Sequence, residues 1–137
     1  MTRLRKNAAP AARIVVVGAG PGDPGMLTAR ALATFAEAAA ADAAAVLVDP
    51  DVPAAVQDAV RDAHPGLELT PVTGEPAEVA RAAVEAAKKG TLVVRLVAGD
   101  PYTSDGVVKE VLAVGRTSVP FDVVPGVAPA TAVPAYA

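Results

Sequence analysis

The sequence of 137 residues contains no cysteine, no tryptophan and a single histidine, His64. The absence of cysteine excludes disulfides, thiolate nucleophiles and cysteine-ligated zinc, and one histidine leaves little room for histidine-centred catalysis. His64 precedes a proline in RDAHPG, which predicts a solvated residue at a helix end. We therefore expect no metal site.

Aromatic residues make up only 3% of the sequence, and the formal net charge is -3. Because base stacking needs aromatic side chains and phosphate binding needs a basic surface, we expect no nucleic-acid partner. No uncharged apolar run approaches the ~20 residues of a membrane span. Residues 1–12 are basic and lack the apolar segment of a signal peptide, so we expect a flexible leader on a cytoplasmic protein without a membrane partner.

The apolar residues fall into five short runs that alternate with four segments of helical period. The runs are rich in valine and nearly continuous, which is typical of parallel strands covered on both faces. The alternation predicts an α/β fold with an open, mainly parallel five-stranded sheet and helices on both faces. The strands are expected at 13–18, 45–49, 67–72, 91–99 and 121–126.

The triplet Gly-Asp-Pro occurs twice, at 22–24 and 99–101, each time after a predicted strand. The first copy lies in VVVGAGPGDPG, which begins like a dinucleotide-binding fingerprint but holds Asp23 at the third glycine position. Carboxylates at these turns would repel a pyrophosphate and would suit a cationic or polyhydroxyl ligand such as S-adenosylmethionine. A single copy is ordinary turn chemistry, whereas two copies at neighbouring strand ends favour a ligand-binding crevice.

Another acid, Asp49, ends the second apolar run in VLVDPDV. An acid at the carboxyl end of a parallel strand is well placed to meet a ligand at that edge of the sheet. The same residue type is also common as a turn or capping residue. The pattern alone leaves both interpretations open.

Four segments, taken in order, resemble the tetrapyrrole methylases, and specifically the uroporphyrinogen-III C-methyltransferase branch of the actinobacterial type fused to uroporphyrinogen-III synthase. The resemblance implies the strand order 3-2-4-1-5 and an S-adenosylmethionine site in a cleft between two α/β domains. It also implies that residues 13–137 are the N-terminal domain and that the C-terminal methylase domain is missing. The segments are VGAGPGDPGMLTARA (17–31), VLVDPDV (46–52), VVRLVAGDPY (93–102) and PFDVVPGVAPATAVPAYA (120–137).

The resemblance also implies a reaction, the C-methylation of a porphyrinogen substrate in the sirohaem and cobalamin branch of tetrapyrrole biosynthesis, with Asp49 as proton acceptor. The proton-donor lysine of the family has no counterpart in LTPVTGEP (69–76). Only scattered arginines such as Arg95 and Arg30 are available for the carboxylates of the substrate. The implied cofactor contacts fall on Pro21, Ala98, Gly99, Asp100, Thr103, Ala128 and Pro129.

After Asp122 the sequence is uncharged and largely apolar. Such a segment would be an association liability if exposed, so it either packs back on the sheet or, as we expect, leads into a second domain that is absent here. Together with the habit of the family it also predicts a homodimer. Half of a cleft predicts little or no activity in isolation. Two alternatives stay open: a non-catalytic oligomerisation or ligand-binding module that retains the fold, and a methyltransferase of the same superfamily with another acceptor, such as an RNA or a diphthine precursor.

Overall fold

A five-stranded sheet forms the centre of the computed structural model, which describes residues 12–128. Its strands are β1 (Ile14–Gly18), β2 (Ala44–Val48), β3 (Leu69–Pro71), β4 (Leu92–Val97) and β5 (Phe121–Val124). They are ordered β3-β2-β4-β1-β5, and every pairing is parallel. The predicted α/β class and the strand order implied by the resemblance are both confirmed.

Four α-helices connect the strands: α1 (Ala29–Ala40), α2 (Ala54–Ala63), α3 (Pro76–Lys88) and α4 (Asp105–Gly115). Thr28 caps α1 by accepting a hydrogen bond from the Ala31 N–H at 3.1 Å. Ser104 caps α4 in the same way, because each hydroxyl satisfies an N–H that has no partner within the helix. His64 is the C-terminal cap of α2, as the sequence predicts.

The sheet separates two apolar layers. Helices α1 and α2 cover one face, where Phe35 is 1% exposed. Helices α3 and α4 cover the other face. Every residue of β1 and β4 is buried, since central parallel strands between two helical layers expose neither side. Two charged residues, Arg95 and Glu110, are also buried on the α3/α4 side.

Because the strands are parallel, all five carboxyl ends lie along one edge of the sheet. Strand β4 ends earlier than the predicted run 91–99, because Gly99 takes a φ of +63° and turns the chain there. Within residues 12–128, no helix has the length and apolarity needed to cross a membrane. Most of the predicted leader, Pro129 and the rest of the apolar C-terminal segment lie outside the described residues.

Candidate functional site

The turns that follow β1, β4 and β5 lie against one another through glycine backbone. Gly20 and Gly99 exchange two backbone hydrogen bonds, at 3.1 and 3.0 Å. A Cβ added to Gly18 would lie 2.6 Å from the Gly99 carbonyl oxygen, and a Cβ added to Gly126 would overlap the same oxygen. These positions leave no room for a side chain, because the backbones of the three turns are in direct contact.

The two Gly-Asp-Pro triplets form the same local structure. In each, the aspartate caps a single turn of 3-10 helix whose first residue is the proline. Asp23 Oδ1 accepts from the Gly25 N–H at 2.8 Å, and Asp100 Oδ2 accepts from the Tyr102 N–H at 3.3 Å. The repeated triplet therefore has a structural role in both places, since each carboxylate fixes the conformation of its own turn.

Asp100 has a second contact that reaches across the sheet edge. Its Oδ1 accepts a hydrogen bond from the Gly126 N–H at 3.1 Å, which joins the turn after β4 to the turn after β5. Its carbonyl oxygen accepts from the Thr103 hydroxyl at 2.7 Å. The role of Gly126 is missed by the sequence reasoning, and its only signal there is a glycine at the end of the predicted run 121–126.

The cofactor positions implied by the resemblance lie on these three adjoining turns. Gly99 is buried and Thr103 is exposed, whereas the remaining described positions are partly exposed. The structure thus brings six of the seven positions to one edge of the sheet, and the seventh, Pro129, lies outside the described residues. The partly exposed positions are Pro21, Ala98, Asp100 and Ala128.

Asp49 lies one residue beyond β2 on the same edge of the sheet. Its backbone N–H donates to the Leu96 carbonyl at 2.9 Å and so continues the pairing with β4. One carboxylate oxygen, Oδ1, accepts from Arg95 Nη2 at 3.2 Å, and the other accepts from the Asp51 N–H at 3.3 Å. The Asp49 side chain is 25% exposed, so a molecule at this edge can still reach it.

Arg95 does not lie where the sequence reasoning expects it. The residue is only 3% exposed, and its Nε and Nη2 donate to the two carboxylate oxygens of Glu110 at 2.8 and 3.0 Å. Its Nη1 contacts the Leu47 carbonyl at 3.4 Å. Arg95, which the sequence makes available for substrate carboxylates, is therefore engaged by carboxylates of the chain itself. One feature of the sequence could have indicated this internal pairing: Arg95 stands inside a valine-rich run that is expected to be buried, and a buried charge needs a partner within the protein.

An open cleft of ≈ 430 Å³ lies beside Asp49. It is bounded by the end of β2, residues 72–76 and the start of α4, and Arg95 and Glu110 form part of its lining. Among the described residues that line it there is no lysine, which agrees with the missing proton donor in 69–76. Within 12–128, no group of three or more His, Asp or Glu side chains is arranged to hold a metal ion.

Comparisons with known sequences identify relatives. A family model described as Tetrapyrrole (Corrin/Porphyrin) Methylases matches residues 13–137. "Siroheme synthase 2" of Aeromonas hydrophila is 38% identical over 128 residues, covering 90% of this chain and 26% of that protein. The "S-adenosyl-L-methionine-dependent uroporphyrinogen III methyltransferase" of Methanosarcina barkeri is 35% identical over 130 residues, covering 91% of this chain and 49% of that protein.

Solved structures give the same result. The uroporphyrin-III C-methyltransferase from Thermus thermophilus superimposes with a TM-score of 0.73 at 34% identity, over 89% of this chain and 51% of that one. A structure of that enzyme complexed with S-adenosyl homocysteine superimposes with a TM-score of 0.70 at 35% identity, with coverages of 89% and 51%. The chain therefore spans between about a quarter and a half of the length of these relatives. The family match over residues 13–137, together with the shared fold, shows that this chain belongs to the tetrapyrrole (corrin/porphyrin) methylases.

Proposed function

We propose that this chain is the N-terminal domain of an S-adenosylmethionine-dependent uroporphyrinogen-III C-methyltransferase. The observation that carries the proposal is the set of three glycine turns in contact at one sheet edge, in a fold whose relatives include such an enzyme complexed with S-adenosyl homocysteine. Relatives that run to two to four times the covered length support the assignment to one domain of a longer enzyme.

The residues at the turns fit the proposed cofactor. The φ of +63° at Gly99 and the tight glycine packing keep backbone rather than side chains at this edge. Both carboxylate oxygens of Asp100 accept backbone hydrogen bonds, so the carboxylate is held at the turn and places negative charge there. A sulfonium cation is attracted there, whereas a pyrophosphate is repelled.

In the proposed reaction the protein binds and orients the methyl donor and then accepts a proton. When bound, S-adenosylmethionine supplies a methyl group made electrophilic by its sulfonium sulfur. The turns that carry Pro21, Ala98, Gly99, Asp100, Thr103 and Ala128 hold and orient it, and Pro129 extends this set by resemblance. Holding the donor against the attacking pyrrole carbon can lower the barrier by ~7–11 kcal/mol.

Asp49 is the proposed proton acceptor. A pyrrole ring whose carbon gains a methyl group carries a positive charge until a proton is lost from elsewhere in the ring system. Asp49 lies at the same edge as the turns, is partly exposed and borders the cleft, so it is placed to accept the proton and to stabilise the charge. The described residues that line the cleft include no lysine as a proton donor, so a donor must come from elsewhere.

The proposal extends to assembly and location. We infer a cytoplasmic homodimer in which a second methylase domain provides the other wall of the cleft, so that the domain has little or no activity alone. A monomer in sedimentation equilibrium would contradict the dimer. The inward-facing Arg95 and the missing lysine favour one alternative, a ligand-binding module that retains the fold without catalysis.

Calorimetry with S-adenosylhomocysteine tests the cofactor site. We expect binding by the unmodified chain and its loss in Gly99→Val, because a β-branched residue cannot adopt the φ of +63° without strain. Asp42→Ala, a change at an exposed site before the opposite end of β2, is the matched control and should bind like the parent. No heat at millimolar ligand in a folded sample would rule out the proposed site. Binding with little or no methyl transfer to uroporphyrinogen is the result expected of one domain whose second cleft wall is provided elsewhere.

A further inference from the structure

Two charged side chains are buried in the otherwise apolar layer under α3 and α4. Arg95 is 3% exposed and Glu110 is 8% exposed, and both lie beside the valines of β4 and α4. Replacing a buried ion pair by apolar residues of similar volume is often neutral or stabilising, so stability alone is a weak reason for such a pair. The pair also contacts a residue outside this layer, since Arg95 is hydrogen-bonded to Asp49 at the edge of the sheet where the strands end.

The strand register explains how Arg95 reaches Asp49. Arg95 is paired with Leu47 across β4 and β2. Leu47 and Asp49 are two residues apart and therefore extend to the same face of the sheet. Arg95 Nη2 lies 3.2 Å from Asp49 Oδ1 and 3.0 Å from Glu110 Oε2, so one nitrogen with two protons serves both carboxylates.

Glu110 fixes the plane of the guanidinium from α4. Its two oxygens accept from Nε at 2.8 Å and from Nη2 at 3.0 Å, which is the two-pronged geometry that leaves an arginine little rotational freedom. With the fork held there, the second proton of Nη2 points along a fixed direction to Asp49. The Asp51 N–H holds the other oxygen of Asp49 at 3.3 Å.

We propose that Arg95 and Glu110 are positioning residues that hold the Asp49 carboxylate in one orientation at the cleft. This inference rests on the proposed role of Asp49 as proton acceptor. Glu110 also sets the net charge beside the cleft. Without Glu110, the positive charge of Arg95 would cancel the negative charge of Asp49. With Glu110 present, the three side chains together keep one net negative charge beside the cleft, which is the sign that attracts a proton or a cationic ring.

The first test measures the orientation of Asp49 in the isotope-labelled chain by the three-bond couplings between its Hα and Hβ protons. We expect a single side-chain rotamer in the parent and averaged couplings in the double variant Arg95→Met/Glu110→Gln, which leaves no buried charge unpaired. The matched control is Arg13→Met/Glu37→Gln, which removes a similar bidentate pair at the opposite edge of the sheet. That control should leave Asp49 in one rotamer. A single Asp49 rotamer in the folded Arg95→Met/Glu110→Gln variant would overturn the proposal.

The second test separates positioning from a general loss of structure. Where the parent transfers methyl groups, Arg95→Met/Glu110→Gln should lower kcat by about 10-fold, a part of what a positioned base contributes. The KM for S-adenosylmethionine should not change, because the glycine turns are untouched. A raised KM with unchanged kcat would contradict the inference. If the parent neither binds S-adenosylhomocysteine nor turns over, the proposed function fails, while the couplings still decide whether this pair positions Asp49.

Discussion

The backbone N–H of Gly126 donates a hydrogen bond to Asp100 Oδ1 over 3.1 Å, which connects two turns that lie 26 positions apart in the sequence. The other oxygen of Asp100 caps its own turn, and the Gly20–Gly99 backbone pair adds the turn after β1. The three turns are therefore linked into one unit. Asp100 therefore acts on this edge of the sheet by holding its backbone in place.

Asp100→Ala should destabilise the domain and weaken ligand binding together. The change leaves the Gly126 and Tyr102 N–H groups without their acceptor, and a lost acceptor of this kind costs about 1–3 kcal/mol. Urea unfolding measures the loss, and calorimetry with S-adenosylhomocysteine measures binding. Asp100→Asn keeps one acceptor oxygen for the two N–H groups, so its stability should lie between those of the parent and the alanine variant. Equal stability of the parent and the alanine variant would contradict the structural role.

Gly126→Ala should be one of the more damaging single-methyl changes at the site. The new Cβ would overlap the Gly99 carbonyl oxygen and lie 2.9 Å from the Gly18 carbonyl carbon, so backbone must move. Forcing extra volume into packed structure typically costs about 1–3 kcal/mol. Gly66→Ala is the matched control because its Cβ would meet nothing within 4 Å. We expect the midpoint of urea unfolding to fall in Gly126→Ala and to stay at the parent value in Gly66→Ala. Similar midpoints for the two variants would show that the close glycine contact is not needed for stability.

Breaking the buried ion pair should cost far more than breaking a surface pair. Glu110→Gln leaves the Arg95 charge buried with only the partly exposed Asp49 carboxylate as counter-ion, and removal of one partner of such a pair costs about 3–5 kcal/mol. Asp58→Asn removes an exposed i,i+3 partner of Arg61 and should cost less than about 0.5 kcal/mol. Chemical denaturation of both variants measures the difference. A small loss in Glu110→Gln would mean that Asp49 alone satisfies Arg95.

Much of the fold can be predicted from the sequence. A nearly continuous valine-rich run indicates a strand that is buried on both faces, and apolar residues at helical spacing indicate a helix that is buried on one face. The alternation predicts the parallel sheet. Strand order is different, since nothing in a run such as 13–18 states which run lies beside it. The order 3-2-4-1-5 came from the family resemblance. Strand β3 is shorter than its predicted run 67–72, and it lies at the edge of the sheet, where it pairs with β2 alone.

The candidate site could be predicted only in part, because several of its contacts join residues that are far apart in the sequence. The repeated Gly-Asp-Pro triplet is local, so both turns could be expected from the residues. The Asp100–Gly126 bond and the Asp49–Arg95–Glu110 chain join residues far apart in the sequence and depend on strand order and register. An arginine in VVRLV required a partner, but the sequence pattern did not say that the partner was Glu110 rather than a substrate.

A last prediction concerns acid sensitivity at the edge opposite the site. Arg13 donates two hydrogen bonds to Glu37, at 2.9 and 2.8 Å, and these bonds hold the pKa of the Glu37 carboxyl below its ordinary value of 4.5. A lowered pKa means that the folded state favours the charged carboxylate. The resulting stabilisation is complete above about pH 5 and is lost as the pH falls below 4.5 through the pKa of the folded state. The Glu37 side chain is 47% exposed, so solvent screening limits the effect to less than about 1 kcal/mol.

Urea unfolding of the parent and of Glu37→Gln from pH 3 to pH 7 measures this contribution. We expect the parent to be more stable at pH 7 and the difference to shrink as the pH falls, because protonated Glu37 and glutamine are both neutral. Glu85→Gln, a change at an exposed carboxylate of α3, reports the general effect of losing one surface charge. The difference in unfolding free energy between the parent and Glu37→Gln could instead stay constant from pH 7 to pH 3. That result would show that the contact with Arg13 stabilises the fold independently of the charge of Glu37.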